Sequence, residues 1–379
     1  MNNNEKLDQT AGNTQKATGT APEPAAKHLQ AFLKSIIDNK QPPAISTGFP
    51  ILDDTLGGGV YAGLYFLGAV SSLGKTTFVG QIADQMAIAG QDVLFFTLEM
   101  SYRELMARSM SRLSAIISPD GFVTTRGLLN SVSGGRDLKT KQLIEQSASV
   151  YEGIANHVYF HEGLNNIDID YVRDELKNFI DTTGKKPVVI IDYIQILTPS
   201  GGKNLTDKQN IDQIVVELKR MSRDHDIVII GISSVNRASY KEGMNMSSYK
   251  ESGSIEYSAD VLLGLQLKGA DQSGFDPDVA KRKPTREVEL KILKNRNGPV
   301  GETVGFTYKP AKNLFEEVYA DRDGKQTSTV RSKINKTGTI ENKKVLETYV
   351  RDTMKRLTDI SANQETLFDQ TNLNMNSGA

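Results

Sequence analysis

"GAVSSLGKTT", residues 68–77, decides how the chain is read. A phosphate-binding loop is usually spelled Gly, four residues, then Gly-Lys-Ser/Thr. Counting back from Gly74-Lys75-Thr76 puts Ala69 in the first slot and Gly68 one residue too early. The first slot requires a small residue rather than glycine itself, so Ala69 serves, and Gly68 reads as the end of the preceding strand. The surroundings support the reading. "GLYFLGAV" is an apolar strand, and "GKTTFVGQIADQMAIAG" is a helix closed by Gly90. In that order, the backbone N–H groups of Ser71, Ser72, Leu73, Gly74 and the first helical turn through Thr77 would wrap phosphates. Lys75 would bring a point charge to the β and γ phosphates, and Thr76 a hydroxyl to Mg²⁺. ATP and Mg²⁺ are therefore the expected ligands.

Working outward, residues 46–320 alternate strand-like and helix-like segments. "DVLFFTLE", "PVVIIDY", "DIVIIGISS" and "DVLLGLQLK" are strands. Helices are predicted at 101–116, over "DYVRDELKNFIDTTG", and where Ile211, Ile214, Val215, Leu218 and Met221 share one face. A polar loop is expected between the first two of these helices. Continuous apolar strands alternating with helices imply an α/β fold, a mostly parallel sheet with helices on both faces. "EVELKILKN" and "GETVGFTYK" are expected to close it as β-hairpins.

Two carboxylates suit the chemistry of an ATPase. Asp192 follows four apolar residues in "VVIIDY", as a metal-binding acid at the end of a buried strand should. The next residue is Tyr193, so a base must come from elsewhere. Glu99, at the end of the strand after the P-loop helix, can face the γ-phosphate across the sheet's carboxyl edge. It could equally cap the helix that follows.

The flanks differ from this core. Residues 1–25 carry almost no large apolar side chains and are expected to be disordered. Residues 26–45 hold a linker helix with Leu29, Phe32, Leu33, Ile36 and Ile37 at helical spacing, stopped by "QPP". It could pack on its own core or on a neighbouring subunit. Residues 321–379 form a polar, basic tail with a helix expected at 344–360. The chain has no cysteine, which excludes disulfides and thiolate chemistry. His157 and His161 lack an accompanying acidic ligand pattern and read as structural. No apolar run is long enough to cross a bilayer, so a cytoplasmic protein is expected. With a net charge of −1, any nucleic-acid binding must come from local basic loops.

Taken together, the motifs resemble one family, the DnaB-type replicative helicases, in their RecA-like P-loop motor. "STGFPILDDTLGGG" resembles that family's lead-in, and its P-loop often has Ala in the first slot. "TLEMS" at 97–101 is similar to the segment carrying the family's catalytic glutamate, which supports Glu99 as base. "VVIIDYIQIL", "SSVNR" at 233–237, "ESGSIEYSADVLLGL" at 251–265 and "KNRNGPVG" at 294–301 resemble further signatures in the family's order. The resemblance implies a homo-hexameric ring with ATP between subunits, moving 5′→3′ on single-stranded DNA. It also implies that Lys294 and Arg296 reach into the neighbour's site as trans-acting fingers; by composition alone they are equally exposed hairpin charges. Where the family has a γ-phosphate-sensing Gln, this chain has the shorter Ser234 at the sensor position, so the coupling is expected to be altered or carried by Ser233 or Asn236. Only about 45 residues precede the motor, fewer than the family's helical collar needs. A partner such as a primase or loader, and a phage or plasmid setting in a bacterial host, are therefore expected. A RecA-like ATPase that regulates or loads replication proteins without unwinding is the alternative.

Two polar loops, 198–209 with Lys203 and Lys208 and 237–254 with Arg237, Lys241 and Lys250, would track DNA phosphates by this resemblance. As spacing alone they are solvated loops. In the tail, Gln364, Leu367 and Phe368 follow the Gln-x-x-Leu-Phe order of a bacterial sliding-clamp-binding peptide, or match it by chance.

Overall fold

The computed structural model describes residues 23–38, 42–131, 135–163, 167–201, 205–236, 242–249, 253–320, 326–327 and 346–358. Residues 1–43 form one unit and 44–379 a second. The first contains α1 (Ala26–Ile37), an amphipathic helix. Most of the segment expected to be disordered lies outside the described residues, as do Gln364, Leu367 and Phe368. No described helix is long and apolar enough to cross a membrane.

The second unit is built on a nine-stranded sheet in the order β3-β2-β4-β5-β1-β6-β7-β8-β9. Six strands are parallel: β1 (Gly63–Ala69), β2 (Val93–Thr97), β3 (Val158–Glu162), β4 (Val188–Asp192), β5 (Val228–Ser234) and β6 (Val261–Leu267). Three antiparallel strands, β7 (Arg286–Asn295), β8 (Thr303–Lys309) and β9 (Leu314–Glu317), extend it as hairpins. All seven residues of β1 are buried, as a central strand covered on both faces requires. Its side chains alternate between two cores. Tyr65, Leu67 and Ala69 join α3 (Lys75–Ile88), α4 (Tyr102–Ile117) and α6 (Leu138–Ala155). Leu64 and Phe66 join α7 (Ile169–Thr183) and α8 (Asp207–His225). Short helices α2 (Pro50–Thr55), α9 (Gly253–Ser258) and α10 (Pro277–Arg282) lie in the connections. Phe78 of α3 meets Phe49, Phe306 and Phe315 at ring separations of 5.3, 5.2 and 5.1 Å. Aromatic contacts of this kind bury large areas and fix geometry, so the hairpins hold the helix that opens the P-loop. A buried ion pair adds to this: Arg112 of α4 donates to Asp84 of α3 at 2.5 Å and to the Asn313 carbonyl at 2.8 Å.

Three local expectations change. The segment after α4 is not a polar loop, because it folds into α5 (Thr125–Leu129), α6 and β3. Helix α6 buries Leu143, Val150, Tyr151 and Ile154, a stripe diluted in sequence by Lys, Gln, Ser and Glu. Gly68 does not end β1, which runs on to Ala69. Its missing Cβ instead makes room for the buried Tyr249 hydroxyl, which donates to the Leu263 carbonyl at 2.8 Å. Lys208 is not in a loop, since α8 already begins at Asp207. In the tail, α11 (346–358) sets Leu346 and Val350 into the core. Its Tyr349 hydroxyl donates to the Val150 carbonyl at 3.3 Å.

Candidate nucleotide site

The loop after β1 turns twice through positive φ, at Ser72 (67°) and Gly74 (86°). Such turns aim successive backbone N–H groups into one concavity, a nest for an anion. Gly74 is constrained twice, because a Cβ there would also strike the Tyr308 ring. Helix α3 opens immediately afterwards at Lys75, so its positive dipole end faces the same hollow. Lys75 Nζ donates back to the Ala69 carbonyl at 2.9 Å.

Sheet order delivers the carboxylates. β4 is separated from β1 by β5 alone, and Asp192 at its end pairs in register with Thr97 at the end of β2. Glu99 follows two residues later and is exposed. It does not cap α4. Ser101 and Glu104 do so through a reciprocal capping box, with Ser101 Oγ accepting from the Glu104 N–H at 3.3 Å and Glu104 from the Ser101 N–H at 3.0 Å. Burial pushes the Asp192 carboxyl above its ordinary pKa, and the nearby Glu99 charge adds to the rise; Thr76, Lys75 and Arg108 oppose it. Asp192 Oδ2 is buried with no hydrogen-bond partner among the described residues. A buried, unmatched carboxylate oxygen beside a threonine hydroxyl is the donor set that a hard divalent cation takes, so these residues fit Mg²⁺.

Lys294 and Arg296 lie elsewhere. β7 runs antiparallel to β6 and pairs Lys294 with Leu262, at the amino-terminal end of that strand. The Arg296 N–H donates to the Asp260 carbonyl at 2.9 Å, and the Asp260 N–H to the Leu64 carbonyl at 2.8 Å. Arg296 is therefore level with Leu64, at the far end of β1 from Ala69, roughly 15 Å along the strand. The P-loop and the two basic residues occupy opposite edges of one sheet.

Ser234 ends β5 in register with Ala69, and Ser233 with Gly68. Asn236 Nδ2 donates to the Ser247 carbonyl at 3.1 Å. Among the basic loop residues, Lys203, Arg237, Lys241 and Lys250 lie outside the described residues, and Lys208 is exposed in the first turn of α8. His157 meets Asp92 at 2.7 Å, and His161 stacks on Phe96.

Three neighbours of the site were not anticipated. Arg108 Nη1 donates to Thr77 Oγ1 at 3.2 Å. Arg286 Nη1 donates to the Ser72 carbonyl at 2.9 Å and lies over the Tyr308 ring. Gln195 Nε2 donates to Ser233 Oγ at 2.9 Å. The first carried a signal: Arg108 and Arg112 stand four residues apart on α4, on the face that holds Leu105.

Comparison with known proteins accords with this geometry. Residues 44–317 match the family model of the DnaB-like helicase C-terminal domain. The chain belongs to that family. It is 28% identical over 262 residues to a "Probable replicative DNA helicase" of Trieres chinensis, covering 68% of this chain and 54% of the relative. It is 27% identical over 280 residues to "Replicative DNA helicase DnaC" of Bacillus subtilis (strain 168), covering 72% and 56%. The DnaB-like chain thus spans little more than half the length of the curated relatives it matches. Among solved structures, one described as an "ATPase Domain" superimposes with a TM-score of 0.63 at 22% identity, over 78% of this chain and 99% of that one. "The Structure Of A DnaB-Like Replicative Helicase And Its Interactions With Primase" gives 0.63 at 22% identity, over 79% and 68%. These likenesses establish the RecA-like fold, and family membership establishes nucleotide use.

Proposed function

We propose that the chain is the motor of a ring-forming DNA helicase, which hydrolyses ATP between subunits to translocate on single-stranded DNA and unwind duplex during replication. One observation carries the reading: the P-loop and the Lys294–Arg296 pair occupy opposite edges of the sheet. Neither edge alone is a complete phosphoryl-transfer site, which needs cationic groups on the developing charge from more than one side. A head-to-tail contact between copies brings one subunit's P-loop to the next subunit's Arg296. Repeated heterologous contacts of this kind close into a ring, which the family resemblance takes to be a hexamer.

In this reading the motor spans residues 46–320, with the linker helix before it and the polar tail after it. The nest over residues 69–74, Lys75 and the amino-terminal turn of α3 through Thr77 hold the β and γ phosphates. Thr76 and Asp192 would hold Mg²⁺, which would supply positive charge to the phosphate oxygens. Glu99 accepts a proton from the attacking water and aims it at the γ-phosphorus. Arg296 and Lys294 of the neighbouring subunit neutralise charge as the bond to the leaving diphosphate breaks. Ser234 and Asn236, at the end of β5, sense the γ-phosphate. Lys203, Lys208, Arg237, Lys241 and Lys250 hold DNA phosphates without reading sequence.

The relatives' printed names extend the proposal to DNA replication, and the sequence reading makes the genome a bacterial, phage or plasmid one. One structural neighbour's interaction with primase makes primase a candidate partner. A helicase loader, and a sliding clamp bound through Gln364, Leu367 and Phe368, are further candidates. A strand-displacement assay on a forked duplex with a 5′ tail, with Lys75→Ala as the control, tests the reading. ATP-dependent displacement that Lys75→Ala abolishes is expected. DNA-stimulated hydrolysis without displacement would point to a loader, and DNA-independent hydrolysis to a regulator.

A further inference from the structure

Lys294 and Arg296 are not free charges on a hairpin tip. Lys294 Nζ donates to the Glu256 carbonyl at 2.6 Å and lies 3.3 Å from the Tyr257 carbonyl. Arg296 Nη2 donates to that same Tyr257 carbonyl at 3.3 Å, and its Nη1 lies 3.3 Å from Asp260 Oδ1. Both thus dock on the end of α9 and the residues that lead into β6. The carboxylate beneath Arg296 is itself well fixed. Asp260 is 14% exposed, and its Oδ2 accepts the Leu64 N–H at 2.8 Å and Lys219 Nζ of α8 at 2.5 Å. Gly63 leaves the space, since a Cβ there would come within 2.9 Å of Asp260 Oδ2. Arg296 keeps nearly half its side chain exposed.

We propose that Asp260 is the positioning residue of the trans-acting finger: it fixes Arg296 to β1 and α8 of its own subunit so that the guanidinium is presented to the next subunit's nucleotide. This rests on the finger reading of Arg296 given above. The physical case is pre-organisation. An arginine side chain loses substantial rotamer freedom when it is ordered. A finger already held by a fixed carboxylate meets that loss before the transition state forms, and misplacement by about 1 Å can cost on the order of a hundredfold. A carboxylate that also accepts from Leu64 and Lys219 cannot follow Arg296 as it moves. One arm of the guanidinium therefore stays anchored while the exposed remainder faces outward.

The test uses Asp260→Asn in the full chain, which keeps an acceptor for the Leu64 N–H and removes the charge. Turnover of DNA-stimulated ATP hydrolysis is expected to fall about 10- to 100-fold, with KM for ATP changed less than about twofold. The deciding readout is subunit mixing. A Glu99→Gln subunit damages its own site but offers an intact finger. An Asp260→Asn subunit has the converse defect. Equal mixtures should regain up to about a quarter of wild-type turnover, because that share of sites pairs an intact Glu99 with an intact finger across a head-to-tail contact. Arg296→Ala mixed with Glu99→Gln is the reference. If the reference mixture recovers and the Asp260→Asn mixture does not, Asp260 acts within its own subunit and the inference falls. Wild-type turnover by Asp260→Asn rings alone also overturns it. If the reference mixture fails, the finger reading itself is wrong and the inference goes with it. Should Asp260→Asn not assemble, Asp260→Glu, with the charge kept but moved by one methylene, takes its place with the same expected outcomes.

Discussion

The two edges of the sheet carry comparable charge and treat it differently. At the carboxyl edge, Asp192 holds a buried oxygen with no partner among the described residues, and Glu99 stands exposed beside it. At the amino edge, the Asp260 carboxylate meets the Leu64 N–H and the side chains of Lys219 and Arg296, while Lys294 docks on backbone carbonyls. Unmatched buried charge is expensive and persists where a ligand will match it. Matched charge is what a rigid presenting surface needs. On the proposed function, the contrast separates an edge that receives charge from one that delivers it, which supports a site shared between copies.

The sharpest way to break that contrast is to remove the delivering group. Arg296→Ala should lower the turnover of DNA-stimulated ATP hydrolysis about a thousandfold, the scale of arginine fingers elsewhere. Because Arg296 lies far from its own P-loop, binding of a fluorescent ATP analogue to the isolated subunit should not change. A comparable loss of nucleotide affinity in that subunit would mean that the edges do not cooperate between copies. On the receiving edge, Glu99→Gln removes a base and keeps the shape. Turnover should fall about a hundredfold, as loss of general-base help usually costs, while analogue binding persists. If Glu99→Gln instead weakened binding and spared turnover, Glu99 would be no base.

Arg286 sharpens the comparison differently, because it lies on the hairpin strand that also carries Lys294, but at the other end. Its bond to the Ser72 carbonyl braces the P-loop from within the subunit. Arg286→Ala should raise KM for ATP roughly tenfold, the worth of one hydrogen bond from a charged donor, and change turnover less than about twofold. Steady-state kinetics across ATP concentrations separates this from the Arg296→Ala pattern. One strand would then serve its own site at one end and a neighbour's at the other.

What was readable in the sequence divides along a physical line. The six parallel strands include five that announce themselves as apolar runs, because burial on both faces leaves little room for polar residues. β3 did not: it is an edge strand whose Tyr159 is exposed. α6 hid because its buried positions are few among charged ones. At the site, Lys75, Thr76 and Asp192 were legible since local chain order alone places them. The ambiguity over Glu99 was also soluble from sequence, because Ser101 and Glu104 spell a capping box three residues apart. Arg286 and Tyr308 were not legible. Tertiary packing brings them to the loop from distant segments, and no local pattern marks such an arrival.

The last prediction concerns how the receiving edge reports its state. β4 ends in Asp192, and β5 ends in Ser234 beside Ala69. Gln195, in the turn just past β4, joins the two: Nε2 donates to Ser233 Oγ at 2.9 Å, and Oε1 accepts the Ser234 N–H at 3.3 Å. The side chain of Ser234 is shorter than the glutamine that the family resemblance places there. Gln195 brings a longer amide side chain to the same strand end, next to the residues that continue towards 236. Gln195→Ala should therefore reduce the stimulation of ATP hydrolysis by single-stranded DNA by roughly fivefold, about 1 kcal/mol for the lost hydrogen bonding. Hydrolysis without DNA should change less than about twofold. An equal fall with and without DNA would make Gln195 a brace between strands and nothing more. A fall confined to the DNA-stimulated rate would place the link between nucleotide and DNA at the junction of β4 and β5.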